Sequence, residues 1–178
     1  MILGSILRKY GGGENACHVD FDSTQRKSGI KIQKGNLRNM KLKVVLDPGA
    51  IMPTRAHPED AGLDLFSRED VEIGSGESHT FDTGVHVEIP VGYVGMIKSK
   101  RGLNVKHGIT SEGVIDAGYT GSIAAKLYNH GRFPVYIQTG QKISQLVIMP
   151  IVTPDLELVD SLEETERGNG GFGSTGRF

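Results

Sequence analysis

A carboxylate and an aromatic side chain lie within a segment bracketed by glycines, Gly113–Gly121, which reads GVIDAGYTG. A carboxylate such as that of Asp116 can orient and deprotonate a water molecule, and the ring of Tyr119 could pack flat against a sugar. The glycine spacing predicts a β-hairpin whose loop presents both side chains. A purely structural hairpin, with a turn aspartate and a core tyrosine, is the alternative interpretation.

The glycine-rich stretch RGNGGFGSTG, residues 167–176, also has chemical potential. Gly168, Gly170 and Gly173 match the G-x-G-x-x-G spacing of dinucleotide-binding turns. That motif needs a preceding strand, a following helix and an acidic residue about 20 positions on, and only five residues follow Gly173. Unhindered backbone N–H groups can instead cradle phosphate oxygens, and Phe172 could stack on a base. We therefore predict an arm that folds over a nucleotide; a disordered tail is the alternative.

Three other polar positions stand beside or within apolar runs. Asp64 lies between two leucines, so in a strand its side chain faces away from theirs; it is either a site carboxylate, linked through water to a metal, or a solvated turn residue. The basic segment Ser99–Lys106, SKRGLNVK, could place cations and N–H groups against phosphate, or form a solvated turn. Gln145 interrupts an apolar strand, which indicates a structural hydrogen bond or a ligand contact.

The composition favours one small β domain. The 178 residues include 25 Gly, 7 Pro and no Trp, which indicates short strands, many turns and an aliphatic core. The net charge of −1 gives no basic field that would attract a nucleic acid polymer. No apolar run approaches the roughly 20 residues needed to cross a bilayer. The single cysteine, Cys17, excludes an internal disulfide and fits a reducing, cytoplasmic compartment.

Short alternating segments from residue 41 onward predict strands at 42–46, 85–89, 93–97, 121–128, 133–137 and 143–151. Turn signals separate them, and one brief helix is predicted near 101–106. This pattern is typical of an all-β barrel or sandwich. We predict a flexible extension at 1–39, with Met40 as an alternative start, a β domain at 40–160 and an arm at 161–178.

Taken in order, these segments resemble the five motifs of trimeric dUTP diphosphatases (dUTPases), over roughly residues 40–176 and most closely in their bacterial and phage branch. The resemblance implies a jelly-roll-like β-barrel that assembles as a homotrimer, with active sites between subunits and the arm contributed by a neighbour. It also implies that dUTP and water give dUMP and diphosphate, with Mg²⁺ bound to the triphosphate.

The resemblance further implies roles for individual residues. Asp116 would activate the water that attacks the α-phosphorus, Tyr119 would lie under the deoxyribose, and Asp64 would reach the metal through water. The other implied substrate contacts are Gly113, Val114 and Ile115 toward uracil, Lys100, Arg101, Gly102 and Gln145 toward phosphate, and Arg167, Phe172, Gly173, Ser174 and Thr175 in the arm.

One position departs from the family pattern, and two other functions compete. Arg101 stands where the family usually carries serine; its bulk and rigid fork predict an intact fold, retained nucleotide binding and reduced turnover. A related dCTP deaminase would carry a glutamate ten residues after Asp116, but Lys126 is found there and cannot shuttle the proton. A catalytically impaired nucleotide- or protein-binding regulator is the second alternative; the retained Asp116, Tyr119 and arm argue against it.

Overall fold

The computed structural model describes residues 40–171, so the predicted extension at 1–39 lies outside it, as does the end of the arm. Between residues 40 and 171 the chain forms eleven strands and one helix. The elements are β1 (Lys43–Leu46), β2 (Gly62–Phe66), β3 (Val71–Ile73), β4 (Ser78–Asp82), β5 (Val85–Glu88), β6 (Tyr93–Ser99), α1 (Arg101–His107), β7 (Ile109–Thr110), β8 (Glu112–Ile115), β9 (Ala124–Asn129), β10 (Val135–Ile137) and β11 (Lys142–Pro150).

All the strand pairs are antiparallel. A four-stranded sheet has the order β2-β11-β6-β8, a three-stranded sheet has the order β4-β9-β7, and two further pairs join β1 to β5 and β3 to β10. This arrangement confirms the predicted all-β class, and α1 confirms the predicted short helix. The helix has seven residues, and no helix in the described range is long enough to span a membrane.

Two clusters of buried aliphatic side chains form the core, as expected for a chain without tryptophan. The first cluster contains Leu65, Val85, Val87, Ile89, Ile97, Ile123 and Leu146. The second contains Ile73, Phe81, Ile109, Ala125, Leu127, Ile137 and Ile143. Strand β9 shows how the sequence reaches the second cluster: Ala125 and Leu127 are fully buried, and the residues between and beside them are exposed, because successive side chains point to opposite faces.

The β-hairpin predicted for Gly113–Gly121 is wrong. Strand β8 pairs with β6, whereas β9 pairs with β4 and β7, so the two strands belong to different sheets. The reason lies in their buried side chains. Ile115 of β8 packs on the first core cluster, while Ala125 and Leu127 of β9 belong to the second. The intervening loop therefore passes from one sheet to the other.

Residues 151–171 form a segment without helix or strand, which includes the described part, 161–171, of the predicted arm. Its first residue is held to the domain because the Ile151 N–H donates to the Gly92 carbonyl at 2.9 Å. Farther along, Leu156, Leu158 and Leu162 are 97%, 100% and 86% exposed. Large apolar side chains presented in this way are typical of a segment that docks on another surface.

Candidate active site

A row of polar side chains crosses one face of the four-stranded sheet. Asp64 of β2 lies directly opposite Gln145 of β11, Gln145 lies opposite Lys98 of β6, and Lys98 lies opposite Glu112 of β8. Residues that are directly opposite in antiparallel strands project on the same side of the sheet. The opposite side of the sheet carries Leu65 into the core. The alternation of the strands thus separates a polar face from an apolar one.

Asp64 is the most buried charge in this row, with 2% of its surface exposed. One carboxylate oxygen accepts a hydrogen bond from the Lys100 ammonium, and the other lies 2.7 Å from Nζ of Lys142. Burial alone would raise the pKa of Asp64, but hydrogen bonds and charge from the two lysines outweigh it and lower that pKa. The interpretation of Asp64 as a solvated turn residue is therefore wrong.

A bulge in β11 allows Lys142 to reach this carboxylate. Lys142 pairs with Phe66 and Ser144 pairs with Leu65, so one extra residue, Ile143, is inserted opposite a single step of β2. In a regular strand, residues three apart point to opposite faces. The extra residue shifts the alternation of side chains by one position, so Lys142 and Gln145 lie on the same face of the sheet. Bulges near functional sites often redirect a side chain in this way.

Gln145 makes the structural hydrogen bond that its position in an apolar strand predicted. Its Nε2 donates to the Ser99 carbonyl at 3.1 Å, just before α1 begins. The amide fits only because Gly62 faces it: a Cβ at residue 62 would lie 2.2 Å from Oε1 of Gln145. This contact ties β11 to the segment that carries Lys100.

The charge arrangement around Asp64 predicts how stability depends on pH. The pKa of Asp64 in the folded chain is below its ordinary value of 3.8. The ion pairs with the two lysines therefore stabilise the fold fully at pH values above 3.8, and this contribution is lost as pH falls through the folded pKa. Asp64→Asn removes these ion pairs and leaves two lysines facing each other, so we expect a loss of about 3 kcal/mol at pH 7, the lower end for a buried pair because the lysines are partly exposed. Urea unfolding at pH 7 and pH 3 measures both effects.

The matched control for this prediction is Glu112→Gln. Glu112 lies in the same row, but its ion pair with Lys98 is longer, at 3.4 Å, and both side chains are exposed. An exposed pair of this kind contributes at most about 1 kcal/mol. Equal destabilisation by the two variants, or an undiminished pH dependence in Asp64→Asn, would show that Asp64 does not stabilise the fold electrostatically.

The basic segment after β6 turns directly into α1. Lys100 precedes the helix, and its carbonyl accepts a hydrogen bond from the Asn104 N–H at 2.9 Å. Gly108 ends the helix in the left-handed conformation, with φ of 71°. Arg101, the first helical residue, is exposed and contacts no hydrogen-bond or ion-pair partner among residues 40–171. Gly102 beside it is also exposed. The two basic residues thus differ, because Lys100 is paired inward and Arg101 projects outward.

Asp116 and Tyr119 occupy the loop that follows β8. They are the ends of a tight turn in which the Tyr119 N–H donates to the Asp116 carbonyl at 3.2 Å. Gly118 supplies the φ of 90° at the third position, which favours glycine. Both Asp116 and Tyr119 are exposed, the latter by 48%. The turn therefore presents the carboxylate and the ring together, as predicted, although no hairpin supports it.

The Tyr119 ring is held in place over a glycine. Its hydroxyl donates to the Ser122 carbonyl at 3.1 Å, and a Cβ at Gly121 would lie 2.6 Å from the ring carbon Cζ. Any side chain at residue 121 would therefore displace the ring. One face of the ring is consequently packed, and its exposure leaves room for a ligand.

Strand β8 ends the four-stranded sheet, and this leaves its outer edge open. Gly113–Ile115 pair with β6 on one side, and no other strand of the described chain pairs with them on the other. Val114 is 58% exposed. An edge strand presents N–H and C=O groups that can read a planar ligand edge. The backbone at 113–115 is thus available for the base contact that the family resemblance implies.

Within a single chain the two halves of the predicted site are far apart. In the register of the sheet, Asp64 is aligned with Lys98 of β6, and Ile115 is aligned with Gly95 of β6. Asp116 therefore lies four residues from Asp64 along the strand direction. Strand β8 also lies three strand spacings from β2 across the sheet. Those offsets correspond to roughly 20 Å between Asp64 and Asp116. The fold brings Asp64, Lys100 and Gln145 together and keeps Asp116 away from them.

The described part of the arm places Arg167 in a local turn. Its Nε donates to the Gly170 carbonyl at 2.9 Å, and the Gly170 N–H donates to the Arg167 carbonyl at 2.8 Å. The remaining predicted arm contacts lie outside the described residues; they are Phe172, Gly173, Ser174 and Thr175.

Sequence reasoning missed two sets of polar residues near these positions. The first consists of Lys142 alone. Its position at the start of an apolar strand gave no reason to expect a site residue, and the bulge that turns it toward Asp64 has no recognisable local sequence pattern. The second set surrounds the loop that carries Tyr119 and consists of Asp47, Arg68, Asp82, His86 and Ser122. These residues are scattered over 75 positions of the sequence, and only strand pairing brings them together.

The donor set fits a metal carried by a ligand better than one caged by protein. Among residues 40–171, no group of three or more His, Cys, Asp or Glu side chains is arranged to hold an ion. Both oxygens of Asp64 already face lysines. Mg²⁺ prefers phosphate oxygens and retained waters to a cage of protein ligands, so this arrangement is compatible with magnesium bound to a triphosphate.

Comparison with known proteins identifies the family. The profile of the dUTPase family matches residues 49–176. A deoxyuridine 5'-triphosphate nucleotidohydrolase of Gloeothece citriformis is 45% identical over 141 residues, which cover 77% of this chain and 97% of that protein. One from Cutibacterium acnes is 46% identical over 129 residues, covering 70% of this chain and 85% of the relative.

Solved structures give the same result. The dUTPase of Staphylococcus bacteriophage 80alpha with dUPNHPP superposes with a TM-score of 0.72 at 36% identity, covering 76% of this chain and 98% of that one. A mutant dUTPase from phage phi11 of S. aureus, described with a structural Mg(II) ion, has a TM-score of 0.65 at 33% identity, covering 70% and 100%. Profile, relatives and fold therefore agree that this chain belongs to the dUTPase family.

Proposed function

We propose that this protein hydrolyses dUTP to dUMP and diphosphate at sites shared between the protomers of a homotrimer. The separation of roughly 20 Å between Asp64 and Asp116 carries the proposal, because a general base works only within hydrogen-bond reach, about 3 Å, of the water it activates. Neither half can serve one triphosphate alone. A second protomer that brings its Asp116 to the first protomer's polar row completes the site.

Asp116 is the proposed general base. Its exposed carboxylate would hold the attacking water and take its proton as the water adds to the α-phosphorus and diphosphate leaves. The Tyr119 ring, fixed over Gly121 by its bond to Ser122, would lie against the deoxyribose. The open edge of β8 at 113–115 would pair with the uracil edge.

The polar row of a second protomer would bind the phosphates. Lys100 and Lys142 have side chains that are 32% and 41% exposed, so each can face a phosphate while its ammonium stays anchored on Asp64. The amide of Gln145 and the exposed Arg101 would add further contacts. Asp64 in this proposal orients the lysines, and its negative charge keeps the pocket from being purely cationic.

Magnesium on the triphosphate would supply charge neutralisation and hold the phosphate chain in one conformation. Asp64 is the residue proposed to reach it, through water. Its ion pairs with two lysines leave the carboxylate ionised, as such a contact requires.

A neighbour's arm would close the site. Residues 151–171 leave the domain with exposed leucines and without a partner in their own chain's sheets, which fits a segment that crosses to another subunit. Arg167, Phe172, Gly173, Ser174 and Thr175 would then cover the base and the γ-phosphate. Closure of this kind excludes bulk water late in binding, as lids do.

Subunit complementation tests the shared site. We expect Asp116→Asn and Gln145→Ala trimers to be nearly inactive with dUTP and Mg²⁺ when assayed separately. Unfolding and refolding them together should restore activity, because mixed trimers contain sites that draw Asp116 from a Gln145→Ala chain and Gln145 from an Asp116→Asn chain. Diphosphate release measures the activity, and sedimentation measures the assembly.

The same experiment separates the alternatives. Mixed trimers as inactive as the parents would contradict a site shared between protomers. Binding of dUTP without diphosphate release by the unmodified protein would favour a nucleotide-binding regulator instead, and release of ammonia from dCTP would favour deamination.

A further inference from the structure

His86 bridges two acceptors beside the Tyr119 loop. It projects outward from β5 between the buried Val85 and Val87. Its Nδ1 lies 2.8 Å from the carbonyl oxygen of Thr120, and its Nε2 lies 3.2 Å from Oδ1 of Asp47. Thr120 directly follows Tyr119, so the imidazole contacts the backbone of the loop one residue after the tyrosine.

Both contacts require the imidazole to donate. A backbone carbonyl and a carboxylate only accept hydrogen bonds, so both bonds form together only when both ring nitrogens carry a proton, that is, in the imidazolium. The hydrogen bond to the Thr120 carbonyl raises the pKa of His86, partial burial opposes this, and the carboxylates of Asp47 and Asp82 raise it further. The contact geometry and the neighbouring carboxylates thus both favour the protonated form of His86.

A second branch of the same network holds the other side of the loop. Nη1 of Arg68 lies 3.2 Å from Oδ2 of Asp82 and 3.9 Å from Oδ2 of Asp47. The other oxygen of Asp82 accepts a hydrogen bond from the Ser122 hydroxyl. The Ser122 carbonyl in turn accepts from the Tyr119 hydroxyl. Hydrogen bonds therefore tether the loop at Thr120, which directly follows Tyr119, and at Ser122, which binds the Tyr119 hydroxyl.

The bridge is open to solvent protons. A surface cavity of about 410 Å³ borders it, lined by Lys43, Val45, Asp47, His86, Val87, Glu88 and Thr120. The other charged pair in this cavity, Lys43 with Glu88 at 3.0 Å, is internally neutralised. Asp47 and Asp82 are the charged groups that act on His86, and Arg68 contacts both carboxylates without a contact to the imidazole in the described chain.

We propose that His86 is a positioning residue for Tyr119: when protonated, it holds the Thr120 carbonyl and fixes the ring orientation, so that affinity for the deoxynucleotide weakens as pH rises. This inference rests on the proposed function only for the identity of the ligand. Its structural part, that the state of His86 sets the position of Tyr119, concerns the free protein as well.

The direction of the pH effect follows from the direction of the shift. A pKa of His86 raised above 6.5 means that the bridge is complete at low pH and is lost as pH rises through the folded value. Neutral imidazole retains one N–H and can no longer donate to both Thr120 and Asp47. The neutral ring can keep only one of these two bonds, so the link between the loop at Thr120 and Asp47 is broken.

The test compares binding of a non-hydrolysable α,β-imido dUTP analogue at pH 6 and pH 9 by titration calorimetry, with Mg²⁺ constant. His86→Ala should bind about tenfold more weakly than the unmodified protein at pH 6, as expected for loss of a hydrogen bond to a charged group, and should differ little from it at pH 9. His86→Lys, a donor that stays charged over this range, should retain tight binding at both pH values.

The matched control is His79→Ala. His79 is also a partly exposed histidine paired with a carboxylate, at 3.0 Å from Glu69, but it lies on β4 and contacts Phe81 instead of the loop. It should follow the unmodified protein at both pH values. Ionisation of the ligand's own phosphates affects all variants equally and cancels in the comparison.

A measurement without nucleotide separates this inference from the proposed function. The NMR ring signals of Tyr119 in the free protein should shift with the same midpoint as the His86 ring signals, and should not titrate in His86→Lys. Coupled titration supports the positioning role even if dUTP does not bind. Independent titration, or a His86→Ala variant that binds like the unmodified protein at pH 6, overturns it.

Discussion

Asp116→Asn is expected to lower kcat for dUTP hydrolysis by about 10³-fold while leaving the fold and the nucleotide affinity nearly unchanged. The asparagine amide keeps the size of the side chain and can still touch a water, but it cannot take the proton. Asp116 is exposed and makes no side-chain hydrogen bond within residues 40–171, so the change removes no structural contact. Diphosphate release and calorimetric binding of the non-hydrolysable analogue measure the two quantities.

The control for this prediction is Glu59→Gln, which neutralises another exposed carboxylate and should leave kcat unchanged. Both variants should unfold within about 0.5 kcal/mol of the unmodified protein, as is usual for surface substitutions. If Asp116→Asn retains more than a tenth of the activity, another group activates the water, and the proposed role of Asp116 is wrong.

Arg101→Ser is expected to raise kcat by up to about 100-fold, because small misplacements at a reacting phosphate have effects of that size. Arg101 begins α1 one residue after Lys100, so its backbone is adjacent to the residue proposed to bind phosphate, and its exposed guanidinium is free to turn toward a ligand there. The serine that the family usually carries here is smaller and lacks the rigid fork. Steady-state kinetics with dUTP would give kcat and KM separately.

Lys106→Ser is the matched control, since it removes another exposed cation from the same helix, five residues farther from the polar row. It should leave kcat unchanged. If Arg101→Ser also leaves kcat unchanged, Arg101 does not slow the reaction. If that substitution lowers kcat, the guanidinium itself stabilises the transition state.

The sequence by itself determined the local features of this protein. Alternation of apolar and polar residues predicted strands at 42–46 and 85–89, because side chains in a strand alternate between faces whatever the partner is. The short basic helix from Arg101 and the turn that presents Asp116 beside Tyr119 also depend on neighbouring residues. The order and spacing of the motifs sufficed to identify the dUTPase family, and the comparisons with known proteins confirmed it.

Only the tertiary structure decided which residues meet. Strands β8 and β9 look like a hairpin in sequence, yet they are separated because their buried residues belong to different core clusters. Lys142 reaches Asp64 only through a bulge, and His86 reaches Thr120 across 34 positions of sequence. Strand partners and register are fixed by the burial of side chains from the whole chain. That is why the local pattern identified the chemical groups, while the fold determined that Asp64 and Asp116 lie far apart within one chain.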